Sequence, residues 1–369
     1  MNQEAATMTT TPTHPGNNFD AIRIVAAIMV LYSHQYALTS QAEPGILGVN
    51  TVGGLAVSIF FVLSGYLVTA SWQRDPHVWR FILRRFLRIW PALAAVVVLT
   101  TYLLGAWVTE LPLREYLAHP TTTSYLQGLW LKFRVVLPGV FEHNPYPFAV
   151  NGSVWTIPLE VRCYFVLGLA GLLGLLRWRA VLLLCIALYM AWFFARSNAD
   201  VTGAVHQGRQ LSAFFLAGAA LFALEDQWRR RPALWGAVIG AACIMAWETG
   251  WRNTAVLIGL PFAVIYFGTR STPFIHRAGR WGDPSYGIYL YAFPIQQTVL
   301  HFAWPALGFP GTMVLALGCT VVLAYASWHI VEKRALNFKP HTPKRKATVF
   351  TQMPDRIESA VEPEMKPLQ

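Results

Sequence analysis

Charge is scarce in this chain. Of its 369 residues only 13% are Asp, Glu, Lys or Arg, about half the ~25% of an ordinary soluble domain, while 55% are hydrophobic. That balance excludes a water-soluble globule. Cysteine is scarce too: Cys163, Cys185, Cys243 and Cys319 all lie in apolar segments without paired spacing, which argues against a disulfide framework or a zinc site. The first 18 residues hold no Lys or Arg and precede an apolar run without a small-residue cleavage signature, so a cleaved signal peptide is not expected. There is no visible internal repeat, which weakens an inverted-repeat transporter.

What the chain does hold is a series of apolar runs separated by short polar loops. A bilayer crossing of ~30 Å takes ~20 apolar residues in a helix, and ten candidate spans fall near 21–38, 51–72, 89–108, 154–176, 180–196, 209–225, 233–249, 254–269, 284–304 and 310–331. The expected architecture is an all-α, polytopic transmembrane bundle. The net charge of +11 would suggest nucleic acid in a soluble protein, but here it marks topology. With the N-terminus in the cytoplasm, 21 of the 29 Lys and Arg fall in cytoplasmic loops and tail, and six fall opposite. By the positive-inside rule both termini are cytoplasmic. The expected division is a cytoplasmic segment 1–18, a membrane domain 19–338 and a disordered cytoplasmic tail 339–369, which is rich in Pro and mixed charge. The longest loop, 109–153, is then extracytoplasmic, with 124–141 able to lie as a helix on the outer surface.

Charges within spans are costly and are functional candidates by default. The first span carries Asp20, Arg23 and His34. Eleven residues separate Arg23 from His34, a rise of ~16 Å and about three whole turns, so one helix face runs from an inner Arg to an outer His. The plainer alternative is a snorkelling Arg23 beside Asp20 and a packing His34. Glu160 sits ~10 Å in from the outer end of the fourth span, at a depth similar to His34. A carboxylate and an imidazole there form the pair a general base needs. Whether the two helices are neighbours is not visible from sequence, and a structural Glu160–Arg162 network is the competing reading. Arg85 and Arg88, three apart after the second span, present two guanidinium forks on one face, suited to phosphates. Five arginines in that segment also suffice as a positive-inside anchor or a lipid headgroup site.

Taken together and in order, these segments resemble acyltransferase family 3, integral membrane proteins that include bacterial polysaccharide O-acetyltransferases. The resemblance runs over about 17–338. It rests on Asp20, Arg23 and His34; on Phe60, Phe61, Ser64, Gly65, Tyr66 and Leu67; and on Arg85, Arg88, Ile89 and Pro91. It continues through Ser153, Trp155, Thr156, Glu160 and Tyr164, then Gly282, Asp283, Ser285, Tyr286, Tyr289 and Leu290, and ends at Glu332 and Lys333. Ala292 stands where many relatives have a second His, and Val161 and Arg162 depart from the pattern after the Glu. Some relatives carry a fused extracytoplasmic hydrolase-like domain, which is not expected here.

The resemblance implies a multi-pass enzyme of the bacterial inner membrane. It implies a co-substrate, acetyl-CoA or another acyl-CoA, bound from the cytoplasm, no metal, and a sugar hydroxyl of a glycan or glycolipid as acceptor on the far side. On that basis Arg23, Arg85 and Arg88 are expected to hold the donor and Trp155 and Tyr164 to touch substrate. His34, oriented by Glu160, is expected to take the acceptor proton or to carry the acyl group transiently. Exopolysaccharide and lipopolysaccharide are both candidate acceptors, and the partners implied are the donor, the acceptor and membrane lipid, with no nucleic acid. Two readings of other classes stand beside this one: a transporter or flippase of a lipid-linked sugar, and a scaffold of envelope synthesis.

Overall fold

The computed structural model describes residues 16–46, 48–196 and 204–340; the expected tail beyond residue 340 and the segment 1–15 lie outside the described residues. The described chain is helical throughout apart from loops and one small antiparallel hairpin, β1 (Gly45–Ile46) with β2 (Asn50–Thr51). The first three long helices are α1 (Phe19–Leu38), α2 (Val52–Arg74) and α3 (Val78–Val108). Two short helices follow, α4 (Leu113–Ala118) and α5 (Pro120–Tyr125). The middle of the chain forms α6 (Ser153–Leu172), α7 (Arg179–Arg196), α8 (Ala204–Ala223) and the short α9 (Glu225–Arg230). The last four helices are α10 (Pro232–Glu248), α11 (Arg252–Gly268), α12 (Ser285–Ala303) and α13 (Gly308–Leu336).

Six of these, α1, α2, α3, α6, α7 and α13, are long and apolar enough to cross a membrane, and the protein is a membrane protein. Helices α8, α10, α11 and α12 occupy the positions of the other expected spans, α10 and α11 with 17 residues each. Large apolar side chains such as Leu103, Trp107, Phe165 and Val322 are exposed around the bundle, the surface that hydrocarbon covers.

Two expectations are corrected. The third helix starts at Val78, not near residue 89, because VWRFILRRFLRIW is an amphipathic helical sequence whose arginines hide it from a hydropathy window. The segment 124–141 is not one helix: after α5 a 3₁₀ turn ends at Trp130, Leu131 adopts φ +62°, and the chain to residue 152 is irregular. That loop is nonetheless fixed. Asn144 Nδ2 donates to Gln297 Oε1 at 2.7 Å, and Gln297 Nε2 donates to the Ala149 carbonyl at 2.7 Å. Asn151 Nδ2 reaches the Leu290 carbonyl at 3.0 Å. These bonds hold the loop on α12 at the same end of the bundle as His34.

Helix α2 is the centre of the bundle, packed on α1, α6, α8 and α11. Its contact with α8 is backbone to backbone. A Cβ at Gly65 would lie 1.8 Å from the Phe215 carbonyl oxygen, and one at Gly218 would lie 2.1 Å from that of Val62. Small residues at such crossings permit the close van der Waals packing that joins helices in lipid. Buried amides add a second tie near the end of α1: Gln296 Nε2 donates to Leu31 O at 2.9 Å and to Gln35 Oε1 at 2.8 Å, and Gln35 Nε2 to Thr312 Oγ1 at 3.0 Å. The turn that holds His34 is thereby fixed against α12 and α13.

Candidate active site

Helices α1, α2, α3, α6 and α12 enclose a cavity of about 440 Å³. Its mouth is basic, with Arg23, Arg84, Arg85, Arg88 and Lys339 in the wall; Glu160, Tyr164, Thr156 and Tyr289 line it deeper. Two arginines from two helices reach one place because a carboxylate stands just before α12. Asp283 Oδ2 accepts from Arg23 Nη1 at 3.1 Å and from Arg88 Nη2 at 2.7 Å, while its Oδ1 accepts from the Ser285 amide at 3.2 Å and the Ser285 hydroxyl at 2.5 Å. Gly282 makes the approach possible: it adopts φ +121°, and a Cβ there would lie 2.0 Å from Trp328 Nε1. Burial by itself would raise the Asp283 carboxyl, but Arg88, Arg23 and the Ser285 donors hold it down at about 2. Glu332 of α13 closes the cluster, with Oε2 at 3.8 Å from Arg88 Nη1.

Asp75, between α2 and α3, does the same for a second pair. It accepts from Arg80 through both oxygens, at 2.8 and 2.5 Å, and from Arg84. The Arg80 bonds, outweighing burial with help from Arg84, hold its carboxyl at about 2. Arg85 stands apart. It has no carboxylate within ion-pair distance among the described residues; its guanidinium lies 5.9 Å from the Phe81 ring centre and 5.8 Å from that of Tyr164, and its Nε is buried without a hydrogen-bond partner. Lys339, just past α13, faces the same mouth. Partial desolvation and the fields of Arg88, Arg85, Arg84 and Arg23 lower its amine to about 8.

Sequence reasoning placed Arg85 and Arg88 together as anion grips, and the structure separates them. Arg88 pairs with Asp283 and Glu332, whereas Arg85 makes no ion pair among the described residues and lies against the Phe81 and Tyr164 rings. It also placed Glu160 beside His34, and the structure does not bring them together. Glu160 Oε1 accepts from Ser64 Oγ at 2.7 Å and from the Tyr164 hydroxyl. His34 Nδ1 instead lies 3.4 Å from Ser153 Oγ, and its ring meets Phe293 edge-on at 5.3 Å. The nearest acidic influence on His34 is Glu43, which accepts from Ser33. Depth on a helix is readable from sequence, but rotation against neighbours is not.

The two ends meet at one wall. Tyr289 Oη is 2.6 Å from Thr156 Oγ1 and donates to the Ser153 carbonyl. Thr156 and Tyr289 line the cavity; one 3₁₀ turn back, Ser153 touches His34. Tyr164 lines this cavity as expected, but Trp155 turns away and lines a separate groove between α6, α7 and α8. Among the described residues no group of three or more His, Cys, Asp or Glu could hold a metal ion. The residues missed from sequence as parts of the site are Asp283, Glu332, Ser64, Ser153, Tyr289 and Lys339. Asp283, Glu332, Ser153 and Tyr289 are polar groups buried in or beside apolar runs, which was the available signal.

The family described as an acyltransferase domain matches residues 17–329, nearly all of the membrane region. The chain belongs to acyltransferase family 3. It is 33% identical over 335 residues to the O-acetyl transferase of Shigella phage Sf6, covering 88% of this chain and 97% of that one. It is 26% identical to nodulation protein 10 of Rhizobium leguminosarum bv. viciae, over 90% of this chain and 96% of that protein. It is likewise 26% identical to the peptidoglycan O-acetyltransferase OatA of Listeria monocytogenes, over 85% of this chain and 55% of that one. No solved structure matches the chain. Membership of acyltransferase family 3 makes the protein a membrane O-acyltransferase, and the flippase and scaffold readings lose their footing.

Proposed function

We propose that the protein moves an acyl group, acetyl first among candidates, from acyl-CoA on the cytoplasmic side of the bacterial inner membrane to a sugar hydroxyl of an extracytoplasmic glycan or glycolipid. The observation that carries this reading is the asymmetry of the cavity. Its basic end offers Arg85 and Lys339, cations without carboxylate partners among the described residues, to phosphates. Its deep end stops at Thr156 and Tyr289, with Ser153 and His34 behind them.

In this reading Arg23 and Arg88 do not grip the donor directly. Asp283 holds them as a braced wall, and Arg85 with Lys339 takes the CoA phosphates. The pantetheine arm lies along the cavity past Glu160 and Tyr164, so that the thioester reaches the Thr156–Tyr289 wall. Ser153, bonded to Nδ1, fixes the His34 ring and leaves Nε2 for the acceptor. As the acceptor oxygen attacks the acyl carbon, the O–H proton passes to His34, the C–O bond forms and the C–S bond breaks. The thiolate leaves and takes up a proton, so CoA-SH and the ester are the products. The supporting test is binding of acetyl-CoA to the purified full chain. Saturable binding that Arg85→Ala weakens by about 10- to 100-fold is the expected result, and equal binding by wild type and Arg85→Ala would contradict it.

A further inference from the structure

The second large cavity of the protein, about 740 Å³, is a groove between α6, α7 and α8. It belongs to none of the machinery above. Its floor is apolar, with Leu182 and Ile186 of α7 at its middle, so in a bilayer it admits hydrocarbon and not water. Yet two arginines line it, Arg162 and Arg209, and no Asp or Glu does. Each lies five residues past the first residue of a regular helix, at Ile157 and Ala204, a depth of ~8 Å. Leu159 packs against Gly208 and Cys163 Sγ lies 3.8 Å from Ser212 Oγ, so α6 and α8 run the same way and the two arginines start from similar levels. Neither makes an ion pair with a described carboxylate; Arg209 lies over Trp192 at 5.4 Å. Trp155 and Trp192 also line the groove, side chains suited to the membrane interface.

An apolar trough capped by two level cations and interfacial tryptophans fits one class of ligand, a long hydrocarbon chain ending in a phosphate. We propose that this groove holds the acceptor: the glycan arrives on a lipid phosphate whose chain lies along α7 and whose phosphate meets Arg162 and Arg209. The inference rests on the acyl-transfer reading and gives its acceptor a chemical class. The connection to the active site is the 3₁₀ turn Ser153–Thr156. Ser153 faces His34 while Trp155, two residues on, faces the groove. Sugars attached to a phosphate held at the arginines therefore extend along this turn to the His34 side, while the acyl donor approaches the same turn through the other cavity.

Native mass spectrometry of the full chain released from detergent tests the proposal with three probes: a long-chain polyprenyl phosphate, phosphatidylglycerol and inorganic phosphate. The polyprenyl phosphate is expected to form a saturable adduct, about tenfold or more stronger than phosphatidylglycerol, and inorganic phosphate none. The adduct should weaken about tenfold or more in Arg162→Gln/Arg209→Gln, the scale of lost charge-assisted bonds. It should also be lost in Cys185→Trp, which fills the groove from an exposed position and leaves both arginines in place. Equal adducts in wild type and both variants would overturn the proposal. So would a preference for phosphatidylglycerol, which would make the groove an ordinary bilayer-lipid site, or equal binding of inorganic phosphate. Acetyl-CoA binding by wild type without lipid reports on the donor reading separately: lipid adducts without acetyl-CoA binding would count against that reading, and acetyl-CoA binding without lipid adducts would count against the groove.

Discussion

Arg88 Nη2 donates to Asp283 Oδ2 at 2.7 Å, a bond between residues 195 apart in sequence that ties the start of α12 to α3. Because Arg23 donates to the same oxygen, one carboxylate joins three helices at the basic mouth of the cavity. Asp283→Asn removes the anion that the two guanidinium groups share, leaving Arg23 with Asp20 at 3.1 Å and Arg88 with Glu332 at 3.8 Å. Removing one partner of such a buried pair costs about 3–5 kcal/mol, so thermal unfolding in detergent should shift markedly downward. The Asp283 carboxyl sits at about 2, below its ordinary 3.8. Its stabilisation is complete above about pH 4 and lost as pH falls toward 2, so the deficit of the variant should shrink as pH falls from about 4 toward 2. A deficit that stayed unchanged down to about pH 2 would contradict the assignment.

Arg85 and Arg88 should give different defects although they are one helical turn apart. Arg85→Ala should weaken acyl-CoA binding by about 10- to 100-fold with little effect on unfolding, as expected for a charge-assisted contact to ligand. Arg88→Ala should lower the unfolding temperature, because it leaves the buried Glu332 without its cation and Asp283 with Arg23 alone. Equal effects of the two substitutions on both readouts would return the pair to the simpler gripping role suggested by their spacing.

Lys339 should give the proposed donor binding a pH dependence. Its amine, lowered to about 8 from 10.5, is charged below that pH and neutral above it. Between about 8 and 10.5 the unfolded chain holds a proton that the folded one has released, so folding is favoured as pH rises through that window. Phosphate binding runs the other way, since it needs the charged amine. The KM for acyl-CoA should rise from about pH 7 to about pH 9 in wild type, and Lys339→Arg should flatten that rise. A pH-independent KM in wild type would remove Lys339 from the donor site.

Ser153 should act through His34 and not on the donor. Ser153→Ala frees Nδ1 and lets the ring turn, so kcat should fall about tenfold, the lower end of what misplaced catalytic groups lose. The KM for acyl-CoA should stay near wild type, and Ser153→Thr should restore part of kcat. A rise in donor KM with unchanged kcat would place Ser153 in donor binding instead.

How much of this was legible before the structure differs from one feature to the next. The centres of the long helices were readable from apolar runs, because a bilayer demands length and composition together. The start of α3 was not, since its arginines interrupt the apolar run and one of their partners, Asp283, is 195 residues from Arg88 in sequence. Arg23 and His34 on one face of α1 followed from helical geometry alone. The separation of His34 from Glu160 did not, because it depends on the rotation of α6 against α1 and α2, set in part by the glycine crossing of α2 and α8. Asp283 was visible only as part of a family motif; its work of bracing two arginines required the positive φ of Gly282 and the approach of Trp328.

The most direct measurement is release of free thiol from acetyl-CoA by the purified protein in nanodiscs, with a glycan acceptor present, for wild type and His34→Ala. The account predicts release by wild type and its loss by at least about 100-fold in His34→Ala, the contribution of a positioned general base, with acetyl-CoA binding retained in the variant. Near-normal release by a folded His34→Ala protein would contradict it.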